Sequence, residues 1–201
     1  MLGTDDGDNI ADGARALLVR SQASQAPRVR SARYKVAVGA GAAIVELRVD
    51  VEARGQRGTV KLAPRSLALL DLTVEGKPVA PASADDGEDG GNSEEGDHLV
   101  EISGKGMRVV TARLQVKVEG DGEDQELNIG RVPAPITEVE VRLPGKRGVR
   151  LDPEVPVQTQ FAGGLSVAHA WLPPGETLHL TFAAVEGGAV ERTVRFSAES
   201  W

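Results

Sequence analysis

The sequence predicts an all-β fold of antiparallel strands, preceded by one short helix. Two observations support the strands: apolar and polar residues alternate along most of the chain after residue 33, and clusters of Gly, Pro, Asp and Asn separate the alternating segments. A helical period is confined to the first 33 residues. Because each predicted strand has one apolar face, we expect the sheets to pack face to face as an antiparallel β-sandwich.

The N-terminal segment, residues 1–33, has a pattern of its own. Its apolar stripe has helical spacing, which predicts one helix over roughly residues 9–24, and Pro27 prevents the helix from continuing. The stripe consists of Ile10, Ala14, Leu17 and Leu18. Three arginines follow within residues 28–33, and no aromatic residue is interleaved with them. We therefore predict a solvated arginine-containing arm there.

The clearest strands are residues 45–54 and 110–119, in which every second residue is apolar and the others are polar or charged. Such a strand points alternate side chains into a core and into water. Residues 138–143 repeat the pattern. Shorter strands are predicted at 34–40, 59–62, 70–74, 99–103, 126–129, 156–161, 165–171, 177–182 and 191–196.

The strands fall into two sets, separated by the acidic segment 121–124. This division predicts two packed immunoglobulin-like lobes, residues 34–120 and 121–201, and one large jelly-roll-like sandwich is the alternative. No internal repeat aligns the two sets. At the level of fold class, the strands resemble those of bacterial surface and envelope sandwich modules, although the Cys and Trp pattern of immunoglobulin domains is missing.

The first lobe contains an acidic loop, residues 81–97, whose core reads ADDGEDGGNSEEGD and carries seven carboxylates. Its oxygens suit calcium, but its four glycines leave the backbone free, and ordering each residue costs about 1 kcal/mol or more. We therefore predict a mobile surface loop. It joins two strands that a tight turn could also have joined.

A second acidic stretch, Thr4 to Asp12, resembles the calcium loops of EF-hand, dockerin and thrombospondin type 3 repeats. Three aspartates fall on ligand positions, but Thr4, Asn9 and Arg15 stand where those loops place an aspartate, a glycine and a bidentate glutamate. We predict no metal or other cofactor, with calcium as the alternative. The calcium candidates are Asp6, Asp8, Asp12, Asp85, Asp86 and Asp89.

The histidines show no metal-ligand spacing. His98 follows the acidic loop, and a hairpin at residues 173–176 could bring His169 and His179 level, but the alternation places these two on opposite faces. We expect His169 to be a partly buried structural residue. We also expect Trp171 to belong to the core.

Catalytic patterns are sparse. The chain has no cysteine, no Gly-x-Ser-x-Gly elbow, no phosphate-binding loop and no dinucleotide fingerprint. Glu138 and Glu140 share a strand face, as in some retaining jelly-roll glycosidases, but Arg142 continues that face and is expected to pair with Glu140. Only 3% of residues are aromatic, whereas sugar clefts are rich in aromatics. We predict that the chain is not an enzyme.

The net charge of −7 disfavours nucleic acid and anionic membranes as partners, and no apolar run is long enough to span a bilayer. The sequence therefore predicts an interaction or scaffolding module, such as an accessory domain of a bacterial envelope or surface protein or a subunit of a larger assembly. Its partner, a protein or a second copy, would bind through edge strands and the N-terminal helix. A calcium-dependent glycan-binding module is the second hypothesis, and a glycosidase is the third. The location is expected to be cytoplasmic if Met1 is the native start and extracytoplasmic if the chain is a mature or excised piece.

Overall fold

The computed structural model of the protein describes residues 26–82, 96–120, 125–175 and 177–184. Within these ranges the chain forms strands and no helix, which confirms the all-β prediction. The predicted helix at 9–24 and most of the acidic loop lie outside the described residues. The strands are β1 (Arg28–Val38), β2 (Ala42–Pro64), β3 (Ala68–Val74), β4 (Lys77–Pro78), β5 (Asp97–Lys117), β6 (Gln125–Gly130), β7 (Thr137–Pro144), β8 (Arg147–Asp152), β9 (Gln158–Ala162), β10 (Leu165–Leu172) and β11 (Thr177–Ala184).

The strands form two sheets. The larger has eight strands in the order β4-β3-β5-β2-β1-β7-β10-β9, and the smaller has the order β6-β11-β8. Among the described residues every pairing is antiparallel except that of β1 with β7, which is parallel. That pairing places strands from both predicted lobes in one sheet. The division into two domains near residue 120 stays a prediction.

The two longest strands, β2 and β5, pair from Ala42 opposite Lys117 to Pro64 opposite Asp97. The predicted strands 99–103 and 110–119 are parts of the single strand β5, and the glycine-containing residues 104–106, whose composition is typical of a turn, lie inside it. Gly104 and Gly106 have φ values of 82° and 100°, and the register with β2 shifts beside them. Glycine supplies the positive φ of a bulge as readily as that of a turn, so composition does not distinguish the two.

Two further elements differ from the expectation. Residues 28–33 are the first part of β1 and not a solvated arm, and Arg30 and Arg33 form ion pairs with Glu52 and Glu138. Strand β8 was not expected, because only Val149 and Leu151 alternate there and two apolar residues make a weak pattern. It pairs with β11 at one edge of the smaller sheet.

The buried apolar residues of the alternating strands form one core to which both sheets contribute. Leu47 and Leu114 from the larger sheet and Leu127, Leu180 and Phe182 from the smaller one are buried members of a single cluster. The alternation of residues 45–54 and 110–119 therefore predicted the inward side chains correctly. No helix in the described part of the chain is long and apolar enough to cross a membrane.

Candidate interaction groove and buried arginine

A groove of about 490 Å³ lies where four segments of the chain meet. The segments are the start of β1, the second half of β2, the connection 131–136 between β6 and β7, and the turn 173–175 between β10 and β11. The groove is lined by Pro27, Arg28, Val29, Thr59, Val60, Lys61, Pro133, Ala134, Pro135 and Pro174. We call it the proline groove.

The proline groove exists because β2 is longer than its neighbour β1. The first residue of β1, Arg28, pairs with Glu52, whereas β2 continues to Pro64. Past Glu52, β2 is paired only with β5, and Pro27 crosses it so closely that a Cβ added at Gly58 would collide with the proline ring. Within the described residues, Thr59–Lys61 therefore has one side without a strand partner. This side is an open sheet edge that faces the groove.

The groove walls are mostly apolar, and the wall formed by the connection 131–136 is held in place. Four of the lining residues are prolines, which have a fixed φ and no N–H to donate. The connection 131–136 is fixed at both ends: Ala32 donates its N–H to the Ile136 carbonyl at 3.0 Å, and Pro64 packs directly on Gly130. A peptide that enters this groove would meet a preformed surface at the connection 131–136.

Two basic residues, Arg28 and Lys61, line the groove. Lys61 Nζ lies 2.9 Å from Asp97 Oδ2, and Arg28 is exposed and forms no ion pair with a described residue. The chain as a whole has a net charge of −7. Arg28 is therefore the groove cation without a counter-charge among the described residues, on a protein that is acidic as a whole.

Two large apolar side chains are exposed in chain segments that lead to the groove. Ile136 follows the groove residue Pro135, and Trp171 lies near the end of β10, which leads to Pro174; each is 59% exposed. The prediction that Trp171 belongs to the core is wrong. Ala170 and Leu172 are the inward residues of β10, so the alternation turns Trp171 to the outer face, opposite Glu138.

Arg131 is the other unusual residue of this region. Only 2% of it is exposed, and its Nε and Nη1 atoms have no hydrogen-bond partner. Its Nη2 lies so close to Gly175 that a Cβ there would collide with it. Arg131 could not be predicted as a site residue, because it follows β6 in a segment without alternation and nothing in the sequence pattern marks it as buried.

Tyr34 lies beside Arg131 and is fully buried. Its hydroxyl oxygen accepts the Val132 N–H at 2.8 Å. Burial raises the pKa of Tyr34 to about 12, although the Val132 hydrogen bond and the Arg131 charge oppose the shift. Burial also lowers the pKa of Arg131. A guanidinium keeps its proton in proteins, so a positive charge stays buried next to a neutral phenol.

The three histidines of the chain do not come together in one site. His169 is half-buried on the outer face of β10, as expected, and His179 lies on β11 in the other sheet, so the hairpin that could have brought them level does not form. His179 Nε2 is 3.2 Å from Glu126 Oε2, and His98 Nε2 is 2.8 Å from the Leu67 carbonyl oxygen.

Calcium and glycosidase sites were the alternatives raised by the acidic residues. Asp6, Asp8, Asp12, Asp85, Asp86 and Asp89 lie outside the described residues, so calcium binding there stays a prediction. Among the residues that are described, no three His, Asp or Glu side chains lie close enough together to hold a metal ion.

Glu138 and Glu140 lie on the outer face of β7, and each is paired with an arginine. Arg33 Nε is 2.6 Å from Glu138 Oε2, and Arg142 Nε is 2.6 Å from Glu140 Oε1, as predicted for the second pair. Neither glutamate lines the proline groove. This arrangement is that of a solvated strand face, on which exposed ion pairs contribute little.

Comparisons with known proteins identify a fold but no family. No protein-family model and no curated protein matches the sequence. An M1 zinc metallopeptidase from Deinococcus radiodurans superimposes with a TM-score of 0.50 at 10% identity, over 78% of this chain and 42% of that one. A two-domain M1 zinc metallopeptidase mutant bound to L-tryptophan gives 0.50 at 12% identity, over 78% and 43%. This chain therefore spans less than half the length of these enzymes, and at such identities the likeness concerns the fold alone.

Proposed function

We propose that the protein is a non-enzymatic interaction module that binds an extended, acidic segment of a partner protein in the proline groove. The observation that carries this proposal is the open side of β2 at Thr59–Lys61, which the groove walls leave accessible. Unpaired strand edges bind extended peptides through main-chain hydrogen bonds. This edge also lies in a groove of about 490 Å³.

The chemistry of the partner follows from what lines the groove. Val29, Val60 and the prolines favour apolar side chains, while Arg28 and Lys61 favour carboxylates. Trp171 and Ile136 offer additional apolar contact next to the groove, and tryptophan is a frequent centre of binding energy in protein interfaces. The partner segment is therefore extended, with alternating apolar and acidic residues.

Short synthetic peptides test this proposal. One peptide alternates valine and glutamate, and a matched peptide replaces each glutamate by lysine; binding is measured by the change in tryptophan fluorescence and by calorimetry. The acidic peptide is expected to bind more tightly. Arg28→Glu should weaken its binding about 3- to 10-fold, because it replaces attraction by repulsion at the groove.

Arg113→Glu is the control, since Arg113 is an exposed arginine on β5 away from the groove. Equal losses in both variants would indicate attraction to the whole surface and would contradict the proposal, as would the absence of peptide binding. A concentration-dependent dimer that Arg28→Glu abolishes would identify a second copy as the occupant instead.

We also propose that the module is an accessory part of a larger bacterial envelope or surface protein, or a subunit of an assembly. The partial coverage of a two-domain enzyme supports the idea that this fold occurs as one part of a longer chain. The predicted contact through the N-terminal helix remains part of this proposal. Deleting residues 1–33 and then measuring the oligomeric state and partner recovery tests it.

A further inference from the structure

Arg131 is a buried cation for which the described residues supply no counter-charge. A buried ion without a partner costs several kcal/mol relative to water, so native proteins pair such ions or bind a counter-ion. Arg131 is 2% exposed, and no Asp or Glu of the described residues forms an ion pair or hydrogen bond with it. Its unpartnered Nε and Nη1 atoms together carry three N–H bonds.

The neighbouring Tyr34 adds a further donor. Its oxygen accepts the Val132 N–H, and no described residue accepts its own O–H hydrogen. Because the phenol stays neutral, it cannot balance the charge of Arg131, but it can donate to an anion. The site thus combines one positive charge with several unsatisfied donors and lacks a carboxylate.

The position of Arg131 relates it to the proline groove. Its own chain segment continues into Pro133–Pro135, one wall of the groove, and its Nη2 touches Gly175, next to Pro174 of another wall. No backbone hydrogen bond joins residues 173–175 to another described residue, and both prolines of this turn are exposed. The cover of the guanidinium is therefore a weakly held surface turn.

We infer that Arg131 and Tyr34 form the binding site for a carboxylate of the segment that occupies the proline groove. This inference rests on the proposed function and names the group that anchors the partner. The turn at 173–175 moves outward as the carboxylate enters, Arg131 Nε and Nη1 donate to its oxygens, and the Tyr34 hydroxyl donates as well. Hydrogen bonds to a buried charge are the strongest that proteins form, so this carboxylate contributes more than the contacts at Arg28 and Lys61.

Acetate is the first probe, because it presents a carboxylate without a peptide. In the wild-type protein, the NMR signal of the Arg131 Nε–H should shift saturably with sodium acetate and not with sodium chloride at the same ionic strength. This measurement needs no variant and does not depend on peptide binding. A linear shift shared by both salts would overturn the inference.

The acidic peptide is the second probe. Arg131→Met should weaken its binding roughly 10- to 100-fold and Tyr34→Phe less, the range expected for charge-assisted hydrogen bonds. Arg113→Met serves as the matched control and should leave the affinity unchanged. If the peptide binds Arg131→Met as tightly as the wild type, the inference fails while the proposed function survives.

A carboxylate from the same chain is the competing explanation. Glu176 follows Gly175 in the sequence. If Glu176→Gln creates acetate binding at Arg131 that the wild type lacks, then the counter-charge is internal and the inference is overturned. If Glu176→Gln leaves the acetate titration of the wild type unchanged, the inference is supported.

Discussion

Tyr34 is the only tyrosine of the chain, so its ionisation can be followed directly in the absorbance of tyrosinate. Burial raises its pKa from 10.0 to about 12. The folded protein therefore holds the phenolic proton at pH values at which the unfolded chain releases it. This difference in pKa corresponds to roughly 2 to 3 kcal/mol of stability that depends on pH.

The expected experiment is an alkaline titration of the native protein, with circular dichroism recorded on the same samples. Tyrosinate should form at a midpoint near pH 12, and in concentrated urea the midpoint should return to about 10. The Tyr34 contribution to the free energy of unfolding is complete below pH 10 and is lost as the pH rises towards 12, by roughly 2 to 3 kcal/mol. Tyr34→Phe should lack this part of the alkaline destabilisation, while the parts due to lysines remain.

Arg131→Met provides a second check on the same titration. The Arg131 charge lowers the pKa of Tyr34, so its removal should move the midpoint further up. A midpoint near 10 in protein that is still folded would show that Tyr34 is in contact with water. That result would refute both the buried phenol and the donor role proposed for it.

The packing makes two further predictions, both measured by urea unfolding. Gly130→Ala should destabilise the protein by about 1 to 3 kcal/mol, because the added methyl group collides with the Pro64 ring. The control is Gly96→Ala, whose added methyl group meets only a flexible arginine side chain and should have a smaller effect. Equal effects of the two substitutions would contradict the close packing of Pro64 on Gly130. Leu114→Ala should cost about 2 to 5 kcal/mol, since Leu114 is fully buried between the sheets. Leu165→Ala removes a side chain of the same type that is 44% exposed, so it should cost less than about 1 kcal/mol, and a loss as large as that of Leu114→Ala would place the core elsewhere.

The strands could be predicted wherever apolar residues of one face alternate in the sequence with polar residues of the other. In residues 45–54 the odd positions face the core and the even positions face water, and this period of two belongs to the strand itself. The period is the same in residues 110–119, where the even positions face the core, and in residues 138–143, where the odd positions do. Trp171 shows the limit of this reasoning, because its hydrophobicity suggested the core while its place in the alternation of β10 puts it on the outer face.

The candidate site was predictable only in a general sense. Open strand edges were expected, but the accessible edge at Thr59–Lys61 depends on where β1 begins and where Pro27 crosses β2. Segments that are far apart in the sequence form the groove, so no local sequence pattern predicts it. Arg131 leaves no local signal either, since burial of a single charged residue outside the strands depends on what packs over it.

The sequence by itself determined the all-β class, the wet and dry faces of the long strands and the buried residues between the sheets. These features follow from local periodicity, which every strand carries independently of its partners. Tertiary structure alone decided that β1 pairs in parallel with β7, that Gly104 and Gly106 lie inside a continuous strand, and that Arg131 is enclosed beside Tyr34. The physical reason is that pairing and enclosure minimise the free energy of the whole chain, in which contacts between distant segments outweigh the preferences of any single one.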